Sequence, residues 1–354
     1  MKKSVIAAIP RRSAGNQPFA GSCWATPTGP NEERIRRRIS ILRLSPYCCS
    51  VIFFLLMAVS SEAQYRGDHI PGFIGLESGS QAPPGLYVGN LVYVYPTDTI
   101  KGNNGGEVHL PGSLTSTADA ILVNVVTNYT VFGAKVGGSI GFPFVKNRIQ
   151  FNSFDVHTSL AYTDMFAGVA LGWNLKRADI TAGYNLYMPT GKFSPNANDN
   201  TGLGMWGNEF TLGSTIYLDE KRTWNVAANF AMEFNSDKRD TNIHVGDLGT
   251  IEGGLAKTFY KKVSGPIPMV MKLGIAGYAQ FKITGDSGSD IPLALRGLKD
   301  RVFALGPEFN VFIPGPRLSL LARYEPEFGA RNRTQGQTIV FSVVWVAKSL
   351  VKHP

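Results

Sequence analysis

Cysteine is nearly absent from this sequence: the chain has three, Cys23, Cys48 and Cys49, and none beyond them. The long remainder therefore has no disulfide framework and no thiolate metal site. Charge is sparse as well, at 17% of residues against 44% hydrophobic, and mean hydropathy lies near zero. Long apolar runs are missing too. The one continuous run, Val51–Val59, reaches back only to Tyr47, and a spanning helix needs about 20 residues. No helical membrane protein is indicated.

What is present sorts into a leader and a repetitive remainder. The apolar run suits the core of a signal peptide, with a buried core segment as the alternative. Arg36, Arg37, Arg38 and Arg43 precede it as a basic region, and Ser61-Glu62-Ala63 follows as a small-x-small cleavage site. The leader is then 1–63, and the exported chain begins near Gln64. The stretch before Arg36 is longer than such a leader needs, so translation is expected to start near the arginines rather than at Met1. Residues 1–63 hold nine Lys and Arg against three Asp and Glu, which is +6 of the total +9. The basic balance is thus mostly a leader effect and gives no argument for nucleic-acid binding.

After an irregular segment, 64–84, expected in the periplasm and too short for a plug domain, the sequence turns rich in Gly, Tyr and Phe and alternates with period two. In Thr223–Asn235 one face reads Trp224, Val226, Ala228, Phe230, Met232, Phe234, and the other Asn225, Ala227, Asn229, Ala231, Glu233, Asn235. Successive strand side chains point to opposite faces, so one face is apolar and the other polar or small. Ala178–Met188 and Val270–Ile283 repeat the pattern. Soluble sandwich strands average about 5–6 residues. Longer strands with aromatics near their ends fit a tilted bilayer crossing.

Twelve strands are predicted, near 86–95, 119–130, 133–144, 165–175, 178–188, 207–218, 223–235, 248–260, 268–283, 301–313, 317–325 and 337–347. Their links alternate short and long, the last long one being Pro326–Gln335. Outer-membrane barrels have short periplasmic turns and long external loops. The expected fold is therefore an all-β, antiparallel up-and-down transmembrane barrel over 85–348, with a short tail at 349–354. Its neighbours would be outer-membrane lipid, lipopolysaccharide and the barrel assembly machinery; the oligomeric state is left open.

Gly172-Trp173, Tyr184, Pro189-Thr190-Gly191-Lys192-Phe193, Asn200, Gly202 and Trp206, with Ile251-Glu252-Gly253-Gly254-Leu255, Tyr278-Ala279-Gln280 and Phe303-Ala304-Leu305-Gly306-Pro307-Glu308, resemble the outer-membrane family described as "putative MetA-pathway of phenol degradation". The resemblance runs from about Pro84 to Lys348. It implies a barrel transporter associated with aromatic or hydrophobic compounds, and it marks Pro189, Thr190, Gly191 and Lys192 as the family-motif loop. One departure is the end of the chain: many such barrels finish on an aromatic residue, whereas here Ser-Leu-Val-Lys-His-Pro follows the last strand.

Three other constellations carry chemistry in other proteins. Gly202-Leu203-Gly204-Met205-Trp206-Gly207 matches G-x-G-x-x-G, but a dinucleotide site needs a strand before it and a helix after it. Asp286-Ser287-Gly288-Ser289-Asp290 begins like a calcium loop but lacks the later ligands. His157 and Ser159 share a strand face as a nucleophile and base could, yet no Asn-Gly follows as in outer-membrane phospholipase A. The histidines His69, His109, His157, His244 and His353 show no metal spacing. No catalytic residue, cofactor or metal is expected.

The polar faces place Glu233, Glu252, Lys272, Gln280, Lys282, Glu308, Arg323 and Glu325 inward as lumen-lining candidates, with Tyr187 and Tyr278 adding aromatic surface. Such groups either lock the wall by pairing or line a polar constriction. The expected function is a passive channel for small organic, including aromatic or hydrophobic, solutes. The alternatives are a sealed structural barrel and, further off, a lipid hydrolase using His157 and Ser159.

Overall fold

A computed structural model describes residues 66–351 apart from 152, 153, 196 and 294. The expected leader, its cleavage site and His353 lie outside the described residues. Alternation sets the architecture: within lipid, strands with one apolar and one polar face satisfy their backbone and keep the polar face from hydrocarbon by closing into a ring. Twelve antiparallel strands do so. They are β1 Gly85–Thr97, β2 Gly112–Val131, β3 Ala134–Phe151, β4 Met165–Asn174, β5 Ala178–Met188, β6 Gly207–Tyr217, β7 Trp224–Asn235, β8 Leu248–Lys261, β9 Met269–Lys282, β10 Arg301–Ile313, β11 Leu318–Arg331 and β12 Gln337–Ser349. Each pairs with its neighbour in sequence, and β12 pairs with β1 from Ile339↔Val94 to Ser349↔Gly85, which closes the barrel.

The outward face is greasy throughout, with Phe210, Leu212, Leu273, Ile275 and Phe341 each more than half exposed. Trp206 and Trp224 stand at opposite strand ends on that face, as amphipathic rings do at the two edges of a bilayer. The short links are tight. At Phe132-Gly133 both residues take positive φ, +49° and +78°, the primed geometry that matches the twist of a two-residue hairpin.

Three boundaries differ from the sequence reading. β2 starts at Gly112 and β3 runs to Phe151, so this hairpin rises well beyond the wall expected for it. β11 continues through Pro326 to Arg331, which shrinks the last long link to 332–336. Proline cannot donate to a ladder and is therefore expected to end a strand. Here Pro307 and Pro326 lie within the same interruption of the β10–β11 ladder, between Glu308↔Arg323 and Ala304↔Glu327, so the two missing N–H groups fall in one gap across which the strands keep their register.

Candidate functional site

The inside of the ring is occupied. Residues 66–84, expected as a free periplasmic segment, instead thread the barrel from the long-loop end to the start of β1. At one end the Arg66 guanidinium donates to Thr334 Oγ1 (2.5 Å), in the β11–β12 link. At the other, Ser80 Oγ donates to Asp179 Oδ2 (2.9 Å), on the second residue of β5. This corrects the expectation of a segment too short to plug the lumen. A plug need not be a domain when an extended strip spans the ring.

The wall holds this strip by its backbone. Glu233 accepts the amides of Asp68 (2.7 Å) and His69 (3.0 Å). Glu252 accepts those of Gly72 (2.6 Å) and Phe73 (3.2 Å). Glu308 accepts the amide of Leu76 (3.3 Å). Arg323 donates to the carbonyls of Gly72 (2.5 Å) and Ile74 (3.2 Å) while pairing with Glu308 at 2.7 Å. Asn225 donates to the Leu76 carbonyl (2.8 Å), and Gly79 N–H donates to Thr215 (3.1 Å). An irregular strip has no ladder of its own, so buried side chains must satisfy its peptide groups. Glycine makes the approach possible: Gly72 sits at φ +83°, and a Cβ on Gly75 would overlap the Arg323–Glu308 pair.

One side chain of the strip anchors electrostatically. His69 Nδ1 lies 2.5 Å from Glu209 Oε2, and its Nε2 lies 3.3 Å from Glu252 Oε2. Both imidazole nitrogens thus face a carboxylate of the wall, so one buried ring bridges β6 and β8.

All eight inward candidates stand on the inner face, but they meet the strip, the wall or the loops rather than open water. Beyond Glu233, Glu252, Glu308 and Arg323, Lys272 pairs with Glu77 of the strip. Gln280 donates to Thr250 (3.2 Å) and accepts from Arg333 (2.9 Å). Lys282 pairs with Asp286 at 2.8 Å. Glu325 is fully buried beside Gly72. The sequence reading missed Glu209, His69 and the strip itself. A signal existed: β6, β7 and β8 bring Glu209, Glu233 and Glu252 inward with no cation between them at mid-wall, so their donors had to come from elsewhere.

The lumen is two-sided. On β6–β11 the inward Glu209, Asn229, Glu252, Ala276, Glu308 and Glu325 are buried under the strip. On β2–β5 the inward Leu122, Asn124, Ser139, Phe166, Gly168 and Thr181 are half-buried. The inward positions from Leu114 to Val126, Gly137 to Asn147 and Phe166 to Asn174 carry no ionisable side chain. At the short-turn end a crevice of about 460 Å³ opens among Pro83, Pro84, Asn128, Lys135 and Val351.

The family-motif loop shapes the other mouth. Gly191 N–H and Leu203 N–H both donate to Asp164 (2.8 and 2.5 Å), Thr190 Oγ1 accepts the Met165 amide (3.0 Å), and Lys192 pairs with Asp199. Pro189 begins the link directly after β5. The folded loop is pinned by Lys238, whose Nζ donates to Leu203 O (2.6 Å) and lies 5.1 Å from the Phe193 ring. Burial lowers the Lys238 pKa to about 8.

The other constellations resolve as structure. Gly204 takes φ +72° and a strand follows at Gly207, so the dinucleotide geometry is absent. Asp286 is taken by Lys282 and the Gly246 amide (2.9 Å). His157 pairs with Asp155 at 2.6 Å, and among the described residues it makes no hydrogen bond to Ser159.

Comparison with solved structures agrees with this architecture. An outer membrane channel from Pseudomonas putida F1 superposes with a TM-score of 0.63 at 16% identity, over 78% of this chain and 99% of that one. The beta domain of the Bordetella autotransporter Brka reaches 0.44 at 12% identity, over 74% and 99%. No curated protein matches the sequence. The family profile described as "Putative MetA-pathway of phenol degradation" matches residues 97–343, most of the barrel and its loops, and the chain belongs to that family.

Proposed function

We propose that the protein is a passive outer-membrane channel whose conduit runs between the threaded strip and the inner face of β2–β4, which from Gly137 upward carries no ionisable side chain. The observation that carries this reading is the contrast between the two arcs: on β6–β11 the charged inward residues are buried under the strip, while on β2–β4 Leu122, Asn124, Ser139, Phe166 and Gly168 are only part-buried, although Phe73 of the strip reaches Phe166 (6.4 Å between ring centroids). A wall of Leu122, Ser139, Phe166 and Gly168, with amides such as Asn124 and Asn185 for occasional hydrogen bonds, suits small organic solutes, aromatic and weakly polar ones among them. The crevice at Lys135 and Asn128 lies where such a path would reach the periplasm. The reading includes export by the leader, assembly by the barrel machinery and a surround of lipid and lipopolysaccharide. It asks no bond chemistry of the chain.

A sealed structural barrel is the competing reading, favoured by how completely the strip fills β6–β11. Uptake of small uncharged solutes into liposomes separates the two. The channel reading expects flux by the intact protein, and a larger flux when residues 66–80 are deleted. Zero flux from the intact protein, with conductance appearing only on deletion, would establish the sealed barrel.

A further inference from the structure

The outward face carries one feature that neither a lipid-facing wall nor the conduit explains. Asn90, midway along β1, donates its side-chain amide to Asp119 of β2 at 2.5 Å. Both lie on the outer surface, because the alternate positions Leu91, Ala118 and Ala120 are the buried inward ones. Asn90 is opposite Ile121 and Asp119 opposite Val92, so the pair is a diagonal one. Among the described residues no other charged side chain stands at mid-strand on the outward face. Lys146 and Lys257 sit toward strand ends, where a long side chain can reach the interface.

Hydrocarbon cannot solvate a carboxylate or an amide, so a polar group there is costly without a partner. The amide also reaches the Ala120 carbonyl, at 3.5 Å, while the carboxylate, with about four acceptor sites, takes a single bond here. The ladder beneath it is unbroken from Gly85↔Val126 to Thr97↔Leu114, so the pair does not mark a lateral window. Its surroundings are also distinct. The outward positions of β1 from Val88 to Pro96 and of β2 from Thr115 to Val125 hold no aromatic, whereas β7 presents Trp224, Phe230 and Phe234. Flat β-branched surface packs against its like more closely than a ridge of rings does.

We infer that the β1–β2 face is the contact between two copies of this chain in the membrane. The occupant is a second copy because the pair is its own complement. Across a two-fold axis, the Asn90 amide of each chain can turn its second N–H from the long Ala120 contact to the open carboxylate oxygen of Asp119 on the other. Interchain hydrogen bonds of this kind hold membrane segments together where the hydrophobic effect cannot. The inference rests on the outward face meeting lipid, and not on solute flux.

The test uses single thiols. With Cys23, Cys48 and Cys49 changed to Ser, Ile121→Cys places a thiol beside the pair and Phe230→Cys places one on β7, at the same 46% exposure. Outer membranes are oxidised with copper phenanthroline and run without reductant. Barrel folding is checked separately by the migration shift on boiling. The expected result is a covalent dimer from Ile121→Cys at least tenfold above that from Phe230→Cys. Adding Asp119→Leu should cut the dimer at least fivefold, and Asp119→Asn, which keeps the hydrogen bonding, should restore most of it. Equal cross-linking at the two positions, or an Ile121→Cys dimer indifferent to Asp119→Leu in a folded barrel, overturns the inference. Unaltered solute flux in these variants would leave the channel reading untouched.

Discussion

His69 Nδ1 and Glu209 Oε2 meet at 2.5 Å inside the barrel, joining the threaded strip to the wall of β6. Its other ring nitrogen lies 3.3 Å from Glu252 Oε2, so one side chain ties the strip to both β6 and β8. His69→Leu removes both contacts and leaves two buried carboxylates short of a donor. Planar-bilayer conductance should rise in this variant, with the boiled and unboiled gel mobilities unchanged from the parent.

Arg323 joins the wall to the strip, with one bond to Glu308 and two to carbonyls of the strip. Removing one partner of a buried pair costs about 3–5 kcal/mol. Arg323→Ala should lower barrel stability by that order, measured as the urea midpoint for loss of the heat-modifiable form. Arg323→Lys should rescue only part, since a single ammonium cannot serve the fork of acceptors.

Gly79 packs so closely on the backbone of Ser214 that a Cβ has no room. Gly79→Val should unseat the lower half of the strip without touching the ring. Single-channel recording should show larger and noisier openings, with the boiled and unboiled gel mobilities unchanged from the parent.

Ser139 and Thr250 both face inward, on opposite arcs. A tryptophan at Ser139 should narrow the free side and reduce liposome flux at least tenfold with little loss of stability. The same residue at Thr250, which is buried, should instead overpack the sealed side, at about 1–3 kcal/mol. Flux lost at Thr250 and kept at Ser139 would place the conduit on the wrong arc.

The wall was legible because its physics is local. Period two in Thr223–Asn235 assigns each residue to lipid or lumen without knowledge of its neighbours, and alternating link lengths orient the ring. The strip was not legible, because its partners lie far away in sequence: Gly72 meets Glu252, and His69 meets Glu209. No periodicity marks an extended segment whose peptide groups are satisfied by side chains. The overlong β2–β3 hairpin escaped for a related reason. Its upper part, Ser113 to Thr117 against Lys146 to Gln150, is polar on the outward side and reads as loop.

The β1–β12 seam bears on how the molecule is made. The seam joins the first and last strands of the barrel, so the ring cannot shut until the final strand has been made. The strip directly precedes β1 and lies on the charged side of the half-formed sheet. Laid there early, it would serve as a mandrel around which the remaining staves bend, and its glutamate and arginine grips would set the girth of the finished vessel before the last joint is made.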